Sequence, residues 1–152
     1  DGSLDLSDTC LAKMEWVCAS IHSGFTHDNT QRLIQACRNP YVNCIGHPSG
    51  RLIGKREAYG VDWDQLFKVA AQTGTAIEIN AQPDRMDLTD ALARQALQAG
   101  VRLVISTDSH AAAHYDFMRL GVTIARRAWC RKEDVLNTRP WKDLEAFVQK
   151  KR

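Results

Sequence analysis

His22, His47, Asp108 and His110 stand at the ends of short apolar runs: Ala19-Ser20-Ile21-His22, Cys44-Ile45-Gly46-His47-Pro48 and Val104-Ile105-Ser106-Thr107-Asp108-Ser109-His110. Imidazole nitrogen and carboxylate oxygen are donors suited to Zn²⁺, Mn²⁺ or Fe²⁺. Asp108 and His110 are two residues apart, so on an extended segment they point the same way and reach one metal cluster. A lone histidine at a strand end is as often a packed core residue as a ligand. Here the placement recurs and takes three of the chain's five histidines, which points to side chains presented together.

Other polar residues cluster at the same strand ends. Glu78 and Asn80, within Ala76-Ile77-Glu78-Ile79-Asn80, share a parity and so a face. They read as partners of the ligands, as substrate contacts, or as a polar pair satisfied among themselves. Pro48 to Arg56 carries two glycines and the cations Arg51, Lys55 and Arg56, a composition suited to facing phosphate, with Arg51 able to grip it bidentately. Arg85 repeats the theme after the next strand. The loop is not a Walker loop: its glycine-to-lysine spacing is wrong and no hydroxyl follows the lysine. His27 and His114 fall in loop-like or helix-like segments and read as exposed. Trp16, Trp63, Trp129 and Trp141 are scattered and read as packing residues.

These side chains need a scaffold. Strand patterns end near His22, His47, Asn80 and Asp108, at steps of 25, 33 and 28 residues, close to one β-α unit each. The strands are nearly continuous apolar runs, as in parallel strands covered on both faces. Between them lie helix patterns with recognisable ends. Asp28 caps a helix that stops before Asn39-Pro40. Asp62 with Gln65 resembles a capping box for a helix closed by Gly74. Leu88 to Ala99 forms a helix closed by Gly100. Beyond His110, Ala111 to Leu120 is helical, Val122 to Trp129 is ambiguous and Lys132 to Asn137 is a short helix. A final helix has Pro140 in its first turn. Alternating strands and helices mean an α/β fold, an open sheet or part of a barrel, since four units are too few for a closed barrel of eight.

The 152 residues suit one domain and one core, with 44% hydrophobic and 25% charged residues. No apolar run approaches the roughly 20 residues of a membrane span. Five cysteines without a Cys-x-x-Cys pair disfavour a zinc knuckle or redox motif and suit a reducing cytoplasm, with Cys18 and Cys44 read as small buried hydrophobes. Net charge is +6 over 119–152 and −4 over 1–118. That asymmetry reads as a solvated basic helix pair or, more sharply, as a basic flank beside an anionic substrate such as nucleic acid. The opening Asp1-Gly2-Ser3, without methionine, leads to the expectation that the chain begins mid-protein.

Taken in order, Ser20-Ile21-His22-Ser23, Gly46-His47-Pro48-Ser49-Gly50-Arg51, Glu78-Ile79-Asn80 with Pro83-Asp84-Arg85, and Ser106-Thr107-Asp108-Ser109-His110 resemble successive motifs of a PHP (polymerase and histidinol phosphatase) domain. The tail, Phe117-Met118-Arg119-x-Gly121-Val122 through Glu133-Asp134-Val135-Leu136-Asn137-Thr138, resembles the version fused to bacterial family X DNA polymerases. The resemblance implies that residues 1–152 are the C-terminal portion of a distorted (β/α)₇ TIM-like barrel, with earlier strands and the polymerase domain outside the chain. It implies up to three divalent metals, Mn²⁺ or Zn²⁺. His22 and His47 would bind one, Asp108 a second and His110 a third, with Asp108 and His110 catalytic through them. The implied activity is metal-dependent 3′→5′ exonuclease action on DNA in repair; from the residues themselves, and not from the resemblance, Arg51, Lys55, Asn80 and Arg85 are expected toward the phosphate. The expected partners are a DNA 3′ end, single-stranded or gapped, and the polymerase domain of the same protein. The alternatives are a small-molecule phosphatase of histidinol-phosphatase type and a non-catalytic DNA-positioning domain. Lacking the family's earlier ligands, residues 1–152 alone are expected to be inactive, with an unpaired strand edge.

Overall fold

The computed structural model describes residues 2–151; Asp1 and Arg152, the ends of the expected 1–152 unit, lie outside the described residues. Four strands, β1 (Cys18–Ala19), β2 (Cys44–Ile45), β3 (Ala76–Asn80) and β4 (Leu103–Ser106), form one parallel sheet in the order β1-β2-β3-β4. Each strand lies beside its chain neighbour, so the order never reverses, an arrangement compatible with a TIM-like fold. The helices are α1 (Asp8–Leu11), α2 (Thr30–Arg38), α3 (Trp63–Thr73), α4 (Asp90–Gln98), α5 (Met118–Arg127) and α6 (Trp141–Lys151). Short 3₁₀ turns occupy Ala112–Phe117, Lys132–Asp134 and Leu136–Thr138.

Local chemistry sets most helix ends. Asp62 accepts the Gln65 amide at 3.0 Å to start α3, and Gly74 ends it in the left-handed conformation at φ 69°. At α2 the cap position is Asn29 rather than Asp28, although the Asp28 carboxylate still accepts the Thr30 amide at 2.9 Å. Thr89 caps α4 through the Leu92 amide at 3.2 Å, so that helix starts two residues later than its apolar pattern. The ambiguous stretch from Val122 resolves as α5, whose Gly121 lets the helix lie directly on β4 and Ala81.

The sheet has two unlike faces. Ile45, Ile77, Ile79, Leu103 and Ile105 pack with Leu33, Leu66, Phe67 and Ile124 of the helical layer. On the other face Cys44 and Ala76 pack with Leu136, Trp16, Val104, Leu144 and Phe147, so α6 and the 132–138 segment cover the N-terminal half of that face. Lys151 fastens α6 there, its ammonium donating to the carbonyls of Cys37, at 3.0 Å, and Val42, and to Thr75 Oγ1 at 2.5 Å. Burial lowers its pKa to about 8. The basic tail is therefore not wholly a solvated surface.

Both sheet edges are informative. The β4 edge is closed: the Asn137 side-chain oxygen accepts the Ile105 amide at 3.1 Å and its NH₂ donates to the Ile105 carbonyl at 2.8 Å, and Val135 bridges Leu103. Among the described residues no strand pairs with the outer edge of β1, and a cleft of about 310 Å³ runs along it. That edge explains one correction: Cys44 is buried as expected, but Cys18 is exposed. Trp16 stacks on Phe147 and Trp63 packs on Phe67, whereas Trp129 and Trp141 are exposed rather than packed inside. Trp129 lies under the Arg94 guanidinium, 3.5 Å from the ring centroid. His27 is exposed as expected, while His114 is half-buried. Among the described residues no helix is long and apolar enough to cross a membrane.

Candidate metal and phosphate site

Along the half of the sheet face that α6 leaves uncovered, Glu78, Asn80 and Ser106 alternate with the isoleucines turned to the helices. Glu78 is 6% exposed and its carboxylate is fully engaged. It accepts the His47 amide at 2.6 Å, the Asn80 NH₂ at 3.1 Å and the Ser106 hydroxyl. The expectation that Glu78 and Asn80 share a face holds: the two are hydrogen-bonded to each other, and Glu78 also fixes the loop carrying His47 through its amide.

His47 is 7% exposed and adopts φ 29°, a left-handed backbone that a non-glycine residue takes only when its surroundings hold it. Its ring meets that of His22 edge to face, centroids 5.3 Å apart. Burial, then the charges of Arg85 and His22, lower its pKa to about 4, so near neutrality the ring is uncharged and keeps a lone pair. Its buried Nδ1 has no hydrogen-bond partner among the described residues. His22 itself is exposed, three residues past the end of β1.

Asp108 also has a positive φ, 49°. Its Oδ2 lies 3.2 Å from Arg85 Nε and accepts from Asn80 Nδ2 at 3.3 Å. His110 is exposed, and its Nδ1 is 2.8 Å from the Asp108 carbonyl. A carbonyl only accepts, so Nδ1 carries the proton and Nε2 is left with the lone pair.

The expected phosphate contacts divide. Arg85 stands at the site against Asp108, its Nη1 buried and unpartnered among the described residues. Arg51 is turned into the fold, donating to the carbonyls of Arg85, at 2.8 Å, and Met86. Lys55 is exposed and faces Asp84 at 3.7 Å. Asn80 is buried between Glu78 and Asp108.

The structure thus joins His22 to His47, and Asp108 to Asn80 and Arg85. Among the described residues it does not gather three His, Cys, Asp or Glu side chains into a group that could hold a metal ion. The donors present still fit a divalent cation in kind: a neutral buried imidazole with a free nitrogen, a second imidazole against it, a half-buried carboxylate and a histidine held by the carbonyl of that same Asp108.

Asp87 has a role that its sequence context does not announce. It is buried and accepts the amides of Ser49, at 2.9 Å, and Gly50, at 3.0 Å. Its one signal is an acid between two apolar residues, Met86 and Leu88, in a segment that otherwise reads as the approach to a helix.

No family model matches the chain. The chain is 47% identical over 153 residues to the "DNA polymerase/3'-5' exonuclease PolX" of Bacillus subtilis, a match covering 99% of this chain and 27% of that protein. It is 29% identical over 164 residues to a protein named a probable phosphatase from Thermoanaerobacter sp. (strain X514), covering 100% of this chain and 64% of the relative. Another protein so named, from Caldicellulosiruptor saccharolyticus, is 38% identical over 85 residues, covering 53% of this chain and 33% of that one. The chain therefore spans between about a quarter and two thirds of these relatives' lengths. With its motifs in family order along the strand ends of a parallel α/β sheet, the chain belongs to the PHP family, in the form carried by bacterial family X DNA polymerases.

Proposed function

We propose that the chain is part of a PHP-type barrel that hydrolyses DNA phosphodiesters from a 3′ end with divalent metals. The observation that carries this reading is the neutral, buried His47, set against His22 at the same strand ends that hold Asp108, Arg85 and His110. His22 and His47 would hold one ion, Asp108 a second and His110 a third, Mn²⁺ or Zn²⁺. When bound, such ions supply Lewis acidity at the phosphoryl group and a water acidified to a pKa of about 7. The protein's own residues provide the rest. Glu78 fixes His47 through its amide, Asn80 orients Asp108, and Arg85 supplies positive charge beside Asp108. Arg51 serves the loop rather than the substrate.

A 5′-labelled single strand incubated with the intact protein and Mn²⁺ is expected to shorten stepwise. Chelation or His47→Ala should slow this by at least about 100-fold, and DNA affinity should fall steeply with salt. Hydrolysis indifferent to chelator would overturn the reading. The relatives named probable phosphatases favour a second reading, a phosphomonoesterase. Mn²⁺-dependent release of phosphate from small esters, with DNA untouched, would select it.

A further inference from the structure

The turn after β3 does more than lead into α4. Asp87 is 1% exposed, yet its carboxylate faces backbone amides rather than an ion-pair partner among the described residues. The amides it holds, Ser49 and Gly50, belong to a tight turn closed by the Gly50 N–H donating to the His47 carbonyl at 2.9 Å. That turn starts from the left-handed backbone of His47 and passes through Gly50 at φ 64°, where a side chain would strike the Tyr59 ring at 2.1 Å. The Tyr59 amide donates to the Ser49 carbonyl at 3.1 Å, and the Arg56 guanidinium donates to the Gly50 carbonyl at 2.7 Å. Glu78 holds the amide where the chain enters the turn, and Asp87 holds the two where it leaves. Without Asp87 the Ser49 amide would lose its acceptor, while Gly50 would keep the His47 carbonyl. The turn would then be held less tightly against relaxation at its strained first residue.

We infer that Asp87 is a positioning residue for His47: by gripping the Ser49 and Gly50 amides it keeps the imidazole facing His22, without touching substrate. The consequence for catalysis rests on the metal-site reading above; the consequence for the loop does not.

The test uses Asp87→Ala and Asp87→Asn in the intact protein, with amide exchange at Ser49, Mn²⁺ affinity, and kcat and KM on DNA as readouts. Asp87→Ala is expected to speed Ser49 exchange by at least about tenfold. Mn²⁺ affinity should fall about 10–100-fold, and kcat should drop while KM stays within about threefold. Asp87→Asn retains an oxygen acceptor and should restore all three to within about threefold of the parent. Parental Ser49 exchange in Asp87→Ala, or an Asn variant as damaged as the Ala variant, would overturn the inference. If the parent binds no Mn²⁺, the metal reading fails while the Ser49 exchange comparison still decides the positioning role. Should Asp87→Ala not fold, Asp87→Ser, too short to reach both amides, takes its place with the same two outcomes.

Discussion

Replacing Glu78 by alanine is the most direct probe of how the site is built. The carboxylate is 6% exposed and receives three hydrogen bonds, from the His47 amide, the Asn80 NH₂ and the Ser106 hydroxyl. Alanine would strand the buried His47 amide at a cost of about 2 kcal/mol. The Ser106 hydroxyl can rotate, and Asn80 keeps its bond to Asp108 at 3.3 Å, so these two together add about 1–2 kcal/mol. The sum, about 3–4 kcal/mol, corresponds to a fall in Tm of about 6–16 °C for a protein of this size. Glutamine behaves differently, because its oxygen can still accept the His47 amide and its NH₂ can donate to Ser106 Oγ. That change should cost only about 1 kcal/mol. Urea unfolding of the parent and the two variants, followed by circular dichroism, reads the difference directly. An alanine variant within about 1 kcal/mol of the parent, or a glutamine variant as unstable as alanine, would refute the account of Glu78 as the anchor of the His47 loop.

Three further outcomes follow from the packing and the charges. Gly121→Ala should lower the stability read by urea unfolding by about 1–3 kcal/mol despite alanine's better helix propensity. The added methyl would lie 2.4 Å from Ile105 Cγ2 and 3.0 Å from the Ala81 side chain, so a raised midpoint would contradict this close approach. Asn137→Ala removes both bonds to the Ile105 backbone and should cost about 2 kcal/mol while speeding Ile105 amide exchange; unchanged exchange would show that the β4 edge is closed by something else. Asp87 carries a pH signature. Burial raises its pKa from 3.8 to about 6, so the fold holds this proton more tightly than the unfolded chain does. The associated stability is present below pH 3.8 and is lost as pH rises through about 6. Asp87→Asn should therefore gain about 2 kcal/mol relative to the parent between pH 4 and pH 7, and a pH-independent difference would sink the assignment.

Features written in contiguous sequence are legible from the residues themselves. Asp62 and Gly74 bound α3 as their types demand, because a cap is made within one turn of its own residue. The strand ends near His47, Asn80 and Asp108 are equally readable, since buried parallel strands need unbroken apolar runs. The family resemblance draws on the same short motifs and is upheld by the relative at 47% identity. Other features depend on partners far along the chain. Arg51 looks like a phosphate ligand in its glycine-bearing loop, but its guanidinium is taken by carbonyls 34 and 35 residues away. Cys18 reads like Cys44, and only its place on the edge strand leaves it exposed.

By itself the sequence determined which residues carry donor atoms of the ligand type and near which strand ends they emerge, because donor chemistry and strand length are local properties. Only the tertiary structure decided how those residues are held. Glu78 reaches the His47 amide across 31 residues of chain, and Asp87 reaches the Ser49 amide across 38. Arg85 meets Asp108 because the loops after β3 and β4 leave neighbouring strands side by side. Such pairings depend on strand order and loop path, and a buried carboxylate persists only where the fold delivers donors to it.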